Sequence, residues 1–215
     1  MKHFTLLLFL FILLFCFFLS YFLSAQPSPS QTAVLAELNL ARTDPMGYAL
    51  ILADYALLLS GSTLHIPGSS PTRLPETLPA IAEAILFLRN QPALPPLALS
   101  PTLSLVTDAY LSEQASTGRI GHISANGLTF TQRIETRGSW KVSAGEALMY
   151  GADTPREAVI FLIVDAGVPS RNHRITIFTR SFRLVGISSG SHCVYGSALI
   201  MDFVGQYVPS PIAKR

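Results

Sequence analysis

Three short polar motifs decide how this sequence is interpreted: GHISANG at 121–127, AGEALMYG at 144–151 and SRNHR at 170–174. They contain two histidines, His122 and His173, with the carboxylate of Glu146 between them. Glycines and small residues flank the motifs, and periodic apolar segments separate them, which is typical of loops held on a packed scaffold. These three side chains are therefore the first candidates for a shared site.

The first 25 residues differ in composition from the rest. Lys2 and His3 precede an almost unbroken apolar run, residues 6–23, and Ser24-Ala25 and a polar Pro/Ser-rich stretch follow it. This order predicts an export signal. The run of about 18–20 residues could also nearly span a bilayer, so an uncleaved N-terminal anchor remains the alternative. The remaining chain divides into a short linker, one folded domain and a C-terminal tail, at 26–30, 31–208 and 209–215.

Composition limits the function classes. Without the first 25 residues about 190 remain, enough for one domain with a sizeable core. Loss of Lys2 takes lysine plus arginine from 15 to 14 against 13 acidic residues, a net charge of +1. This balance excludes the positive field that nucleic acids require, and no basic run predicts a membrane-binding surface. Only Cys193 survives removal of the leader, so packing rather than an internal disulfide must supply stability.

Apolar spacing predicts helices first and strands last. Helical periodicity covers 31–42, 45 to about 60, 80–88, 101–117, 130–136 and 158–164. Extended or strand patterns cover 142–150, 182–189 and 193–208, the last two joined as a hairpin through 190–191. Glycine, proline and serine predict surface loops at 61–79 and irregular chain before residue 100. This order favours a layered α+β domain over a doubly wound sheet.

Several predicted helices have clear end signals. Asp44 and Ser100 each precede a proline, as an N-cap does before the first helical position. Thr154 stands three residues before Glu157, the spacing of a capping box. Gly118 is expected to end the helix over 101–117.

The ordered motifs resemble the CAP superfamily, the SCP-like domain of cysteine-rich secretory, antigen 5 and pathogenesis-related proteins. The resemblance lies in GHISANGLTFTQRIETRG, GEALMYG, AVIFLIVDAGVPSRNHR and FRLVGISSG, in that order. It is strongest to the disulfide-free microbial branch. The resemblance implies a three-layer α-β-α sandwich around a small, mostly antiparallel sheet.

The resemblance also implies a central cleft. His122 matches the family's first histidine, Glu146 its motif acid and His173 its second histidine. Two neutral imidazoles and a carboxylate can bind a divalent metal, with water completing the coordination. Zinc is the first expectation, with copper or nickel as alternatives.

The chain departs from the family pattern at five positions. Ala147 replaces an asparagine, Asn172 a glycine and Asn126 a common aspartate, while Ala166 stands where relatives often carry a second acid and Leu162 near a frequent tryptophan. The change at 147 removes a hydrogen-bonding side chain next to Glu146 and is expected to weaken the support of the site.

Other polar residues have structural as well as functional interpretations. Ser124 and Asp165 are candidates for lining the cleft, although Asp165 is also interpretable as a solvated helix end. Glu146 is expected either to serve the site or to pair with Arg133. Ion-pairing is the expected role of Arg133, Arg171 and Arg174, and surface or packing roles are expected of His65 and His192.

Three function classes follow, all for a secreted or envelope-located monomer. The first is a non-enzymatic binding module with a metal-binding cleft. The second is a lipid or sterol carrier, which needs an apolar groove, conceivably between the first two helices. The third is a hydrolase, for which Ser124 or Ser143 would have to serve as the nucleophile, although neither serine lies in a G-x-S-x-G pattern and no H-E-x-x-H motif is present. The partner is a small molecule, lipid or protein, and membrane contact is expected only from an uncleaved leader.

Overall fold

The computed structural model describes residues 29–60, 63–65, 71–73 and 77–211. Helices in these residues are α1 Pro29–Thr43, α2 Pro45–Ala56, α3 Thr77–Asn90, α4 Pro101–Thr117, α5 Phe130–Glu135, α6 Pro155–Val164 and α7 Asn172–Ile177. Strands are β1 Leu59–Ser60, β2 Thr63–Leu64, β3 Thr72–Arg73, β4 Ala98–Leu99, β5 Gly138–Tyr150, β6 Leu184–His192 and β7 Gly196–Pro209. The predicted α+β class is confirmed.

The central sheet has the order β4-β6-β7-β5. β7 pairs antiparallel with both β5 and β6, and only the two-residue β4 is parallel to its neighbour. Glu146 of β5 lies directly opposite Asp202 of β7. Because partners in register share a face of the sheet, these two carboxyl groups lie on the same side.

Helices cover both faces of this sheet. α4 and α5 pack on one face, while α1, α6 and α7 pack on the other and carry α2 and α3. Strand β7 is buried on both sides, and its residues alternate accordingly. Ile200 and Val204 belong to apolar clusters with α4, whereas Met201 and Phe203 belong to the larger cluster with α1, α2, α3 and α6. The result is the expected helix–sheet–helix layering, and Asp202 lies on the α4 side.

The predicted end signals form helix caps, but the Glu157 side chain accepts from the amide of Asp153 rather than from that of Thr154, so the capping box is not completed. The side chains of Asp44, Ser100 and Thr154 accept hydrogen bonds from amides three residues later and begin α2, α4 and α6. Gly118 has φ +71 and ends α4 in the left-handed conformation, where glycine has no Cβ to clash. Each signal is local, so it operates independently of the tertiary fold.

Other boundaries differ from the sequence expectations. α1 begins at Pro29, inside the expected linker, since proline is compatible with the first turn of a helix. α2 ends at Ala56, and the predicted loop at 61–79 includes β2, β3 and the start of α3. The hairpin turns between His192 and Gly196 rather than at 190–191, because the β6–β7 ladder continues to that pair.

A bulge interrupts β5 before the site. Its register against β7 shifts between Lys141 and Ala144, opposite Gly205. Val142 in this bulge has φ +76, an unfavourable conformation for a β-branched residue, and its side chain is exposed. A Cβ on Gly205 would lie 2.9 Å from that of Val142, so glycine permits the close approach.

The predicted leader, residues 1–25, lies outside the described residues. Among the helices that are described, none combines the length and apolar character needed to cross a membrane. Cys193 is exposed at the β6–β7 turn.

Candidate functional site

His122 lies in the segment between α4 and α5, and a strand carboxylate holds its ring. The Nδ1 atom of His122 is 2.7 Å from Oε1 of Glu146. Arg133 donates to Oε2 of Glu146 and, at 2.8 Å, to the carbonyl of His122. The Glu146 side chain is fully buried, whereas that of His122 is 50% exposed. The buried carboxylate therefore holds one nitrogen of a half-exposed ring.

The guanidinium group of Arg133 contacts both the Glu146 carboxylate and the Tyr110 ring. Its guanidinium carbon lies 3.6 Å from the centre of the Tyr110 ring, in a cation–π contact. Its side chain is only 7% exposed. The buried pair of Arg133 and Glu146 is thus charge-balanced and enclosed by α4, α5 and β5.

A second carboxyl group, which the motifs did not indicate, lies beside this pair. Asp202 is 1% exposed, and neither of its carboxyl oxygens has a hydrogen bond within the described part of the chain. Burial, and then the negative charge of Glu146, raises the pKa of Asp202 well above its ordinary value, while Arg133 acts in the opposite direction. The group is therefore favoured as a neutral acid.

His173, at the second residue of α7, has a similar partner. Its Nδ1 atom is 2.7 Å from Oδ1 of Asp165, and its backbone amide donates to Oδ2 of the same residue at 2.9 Å. Asp165 is 4% exposed and caps the C-terminus of α6 with φ +52. The prediction of a solvated helix end at Asp165 was wrong, because the left-handed cap turns this side chain inward towards His173.

The two arginines near His173 form the predicted ion pairs. Arg171 and Arg174 both bind Glu83 of α3, at 2.9 and 2.8 Å. They also donate to carbonyls at the end of α6, including those of Asp165 and Val164. This cluster fixes the α6–α7 connection and leaves His173 partly exposed.

The two histidine–carboxylate pairs approach β5 from different layers. Glu146 faces α4 and α5, while a Cβ on Gly145 would lie 3.2 Å from the Thr176 side chain of α7. Since neighbouring strand residues point to opposite faces, α7 packs on the other side of β5. Within residues 29–60, 63–65, 71–73 and 77–211, no three His, Cys, Asp or Glu side chains are grouped to hold a metal ion.

The remaining candidates have structural contacts. The Ser124 hydroxyl donates to Asn126 and accepts from the Leu128 amide at 3.0 Å, which shapes its own turn. Ser143 pairs with Ser181 at 2.7 Å. Ala147 is fully buried in the main apolar cluster, on the face of β5 opposite to Glu146. Its substitution for asparagine therefore lies in the core rather than beside the carboxylate.

Sequence reasoning could not identify Asp202. The motif spacing points to Glu146, and nothing in the surrounding apolar strand distinguishes an aspartate that pairs across the sheet from an exposed one. Only the register of β5 against β7 brings the two together. The sequence signal that could point to Asp202 is an acidic residue between apolar residues, in a strand expected to lie at the centre of the sheet.

Comparisons with known proteins provide two similar structures. No protein-family profile and no curated protein matches the chain. An extracellular protein containing an SCP domain, from Bacillus anthracis, is 18% identical over 59% of this chain, with a TM-score of 0.43. An outer surface protein of Borrelia burgdorferi is 20% identical over 52% of this chain and 78% of its own, with a TM-score of 0.45.

The chain matches only 38% of the Bacillus protein's length.

Proposed function

We propose that this chain is an exported SCP-like binding domain whose ligands coordinate to the two imidazoles, His122 and His173. A divalent metal such as zinc is the first ligand class, with water completing the coordination. The main support is that both imidazoles use Nδ1 for a carboxylate at 2.7 Å. In metal sites this arrangement fixes the tautomer and directs Nε2 towards the ion.

The donor set fits two histidine ligands better than three mixed ligands. Both oxygens of Glu146 accept hydrogen bonds, and its side chain is fully buried. Glu146 therefore supports His122 rather than contacting a ligand, and Asp165 does the same for His173. Because the two pairs lie in different layers, an ion shared by both imidazoles must lie beyond the free edge of β5. Two imidazoles without a third protein donor make an open site of modest affinity.

The contacts of the two candidate serines also agree better with a binding role than with a hydrolase role. Ser124 and Ser143 are bonded to Asn126 and Ser181 rather than to either histidine. General-base activation of a hydroxyl requires the base within hydrogen-bond reach. The apolar leader predicted at residues 1–25 supports an exported location, and the two similar structures are those of an extracellular protein and an outer surface protein.

Zinc titration by calorimetry tests this function, using the full chain and the His122→Ala, His173→Ala and double variants. If the imidazoles share one ion, each single substitution abolishes a one-site isotherm. Binding must also weaken as the pH is lowered, because protons compete with the metal for its ligands. His65→Ala is the matched control, because this exposed histidine lies outside both pairs. Unchanged binding in the double variant would contradict the proposal.

A second candidate, lipid binding, is favoured by one cavity. It has a volume of about 450 Å³ and lies between α1, the start of α6 and the β6–β7 hairpin. Val34, Met149, Ala158 and Leu199 supply apolar walls, and serine and threonine residues lie among them. The volume is within the range of small-molecule sites. Its position differs from the groove expected between the first two helices.

Extraction of a fluorescent fatty acid separates the two candidates. A carrier would bind the probe in the His122→Ala/His173→Ala variant as well as in the parent, and would lose it when Ala158→Phe fills the cavity. Ala115→Phe, on a partly exposed part of α4 outside the cavity, controls for the added ring. Equal binding in both phenylalanine variants would exclude this cavity as the lipid site.

A further inference from the structure

We propose that Gln114, Tyr150 and His192 are positioning residues for His122. They hold the segment before this histidine so that its imidazole has one orientation. The inference rests on the proposed function for its effect on ligand affinity, whereas the effect on the order of the imidazole is measurable without a ligand. None of the three residues belongs to the candidate set of His122, Glu146 and His173.

The first observation is a closed ring of hydrogen bonds around Gly121. Its amide donates to the Tyr150 hydroxyl at 3.2 Å, and that hydroxyl donates to Oε1 of Gln114 at 2.9 Å. Nε2 of Gln114 then donates to the Gly121 carbonyl at 3.0 Å. Tyr110 donates to the same carbonyl at 2.5 Å. Both polar groups of the residue before His122 are therefore fixed by α4 and β5.

The second observation concerns His192 at the end of β6, which is 2% exposed. Its Nδ1 accepts from the amides of Val194 and Tyr195 at 3.2 and 3.3 Å. The neutral ring must then carry its proton on Nε2, which donates to the Arg119 carbonyl at 3.1 Å. This bond holds the segment two residues before Gly121. The His192 ring also packs edge-on against Tyr150, at 5.5 Å between centroids.

These bonds matter because the side chain of His122 is half exposed and lies outside regular secondary structure. Glu146 fixes one ring nitrogen and Arg133 binds the His122 carbonyl, but neither bond constrains the chain before His122. Gly121 has φ +98, and glycine resists such motion least of all residues. Gln114 is 1% exposed, so its buried amide is used to hold a loop peptide rather than to contact solvent. Preorganisation of this kind improves affinity by reducing the ordering cost of binding.

The test compares two tyrosine-to-phenylalanine variants of the full chain. Tyr150→Phe removes the hydroxyl at the centre of the ring. Tyr48→Phe is the matched control, because its buried hydroxyl donates a 3.0 Å bond to Glu37 on the other side of the sheet. The readouts are the His122 imidazole resonances without metal, assigned with His122→Ala, and zinc affinity by calorimetry.

We expect Tyr150→Phe to broaden or shift the His122 resonances and to weaken zinc binding about tenfold, a typical cost of losing outer support. Tyr48→Phe should change neither. Gln114→Met has a similar shape but lacks the hydrogen-bonding groups. If circular dichroism shows that Tyr150→Phe is poorly folded, Gln114→Met replaces it and should show the same expected changes in resonances and zinc affinity.

Unchanged His122 resonances in both Tyr150→Phe and Gln114→Met would overturn the positioning role, whatever the zinc result. Equal changes in Tyr150→Phe and Tyr48→Phe would also overturn it, because they would reflect general destabilisation. Failure of the parent to bind zinc would instead count against the proposed function, and the ligand-free resonances would still decide the positioning role.

Discussion

The two histidines have the same immediate partner but different kinds of support. His173 and Asp165 are eight residues apart, and one left-handed helix cap supplies the acceptors for both the ring and the amide. His122 and Glu146 are 24 residues apart, and their arrangement depends on Arg133 and on the register of a strand pair. The first pair is a local structure, and the second is assembled by the tertiary fold.

This difference indicates which histidine depends on contacts that also stabilise the whole domain. The buried charges around Glu146 can be disturbed from α5, β5 or β7, so changes there should affect the whole domain. The support of His173 comes from a short stretch of chain whose arginines pair with the partly exposed Glu83. Changes there should be smaller and more local.

The largest expected effect is from Arg133→Met. It leaves the Glu146 carboxylate buried without its cation, and we expect the free energy of unfolding to fall by about 3–5 kcal/mol. Arg171→Met is the matched control, because its partner Glu83 is 48% exposed, and it should cost about 1 kcal/mol or less. Urea denaturation measures both. Equal losses would contradict the contrast between the two regions.

Asp165→Gly should cost about 2 kcal/mol, because two hydrogen bonds to His173 are lost from a buried position. Glycine fits the left-handed backbone at this position, so the loss isolates the side-chain contacts. Denaturation should show the lower stability, and the His173 resonances should shift while those of His122 stay in place. A shift of both histidines would show that the two regions are coupled.

Asp202→Asn should change how stability depends on pH. The folded-state pKa of Asp202 is raised by burial and by Glu146, so the unfolded chain loses this proton at a lower pH than the folded chain does. The parent is therefore stabilised below the ordinary aspartate pKa and loses this stability as pH rises towards the folded pKa. The slope contributed by one proton is at most about 1.4 kcal/mol per pH unit.

Asparagine mimics the neutral acid and should remove that slope. Thermal unfolding from pH 4 upwards measures it, and Asp108→Asn, at a partly exposed aspartate of α4, is the control. Identical slopes in the parent and Asp202→Asn would show that Asp202 is ionised in the folded protein.

The smallest expected effect is a gain from Val142→Gly, of about 0.5–1 kcal/mol. The substitution relieves the backbone strain of a β-branched residue in the left-handed conformation, and this gain outweighs the greater entropy of glycine in the unfolded chain. Val194→Gly, equally exposed but without a positive φ, should instead lose stability. With Asp165→Gly, these variants separate backbone strain from side-chain contacts in the two regions. A loss of stability in Val142→Gly would show that the side chain contributes packing.

Much of the fold was predictable because its signals are local. The caps at Asp44, Ser100 and Thr154, and the stop at Gly118, depend on a few neighbouring residues. The hairpin turn was misplaced because Gly190-Ser191 has turn composition, whereas the ladder to His192 and Gly196 depends on pairing across the sheet. The start of α1 was missed because Pro29 lies in a stretch with linker composition.

The site was less predictable for the same reason. His122, Glu146 and His173 were selected from motif spacing, and Glu146 pairs with Arg133 as one of its two expected roles. Asp165 was underestimated because its left-handed backbone is invisible in the sequence. Asp202, Gln114 and Tyr150 join the site only through strand register and helix packing, which no local pattern records.

The bulge in β5 has a consequence for association between copies of the protein. β5 is 13 residues long and forms one edge of the central sheet, and long regular edges tend to pair with other chains. The irregular backbone at Val142 interrupts the row of amides and carbonyls that an incoming strand would need. The neighbouring Lys141 adds a charge to the same stretch of edge. The distortion thus hinders edge-to-edge pairing of β5 with strands of other copies of the domain.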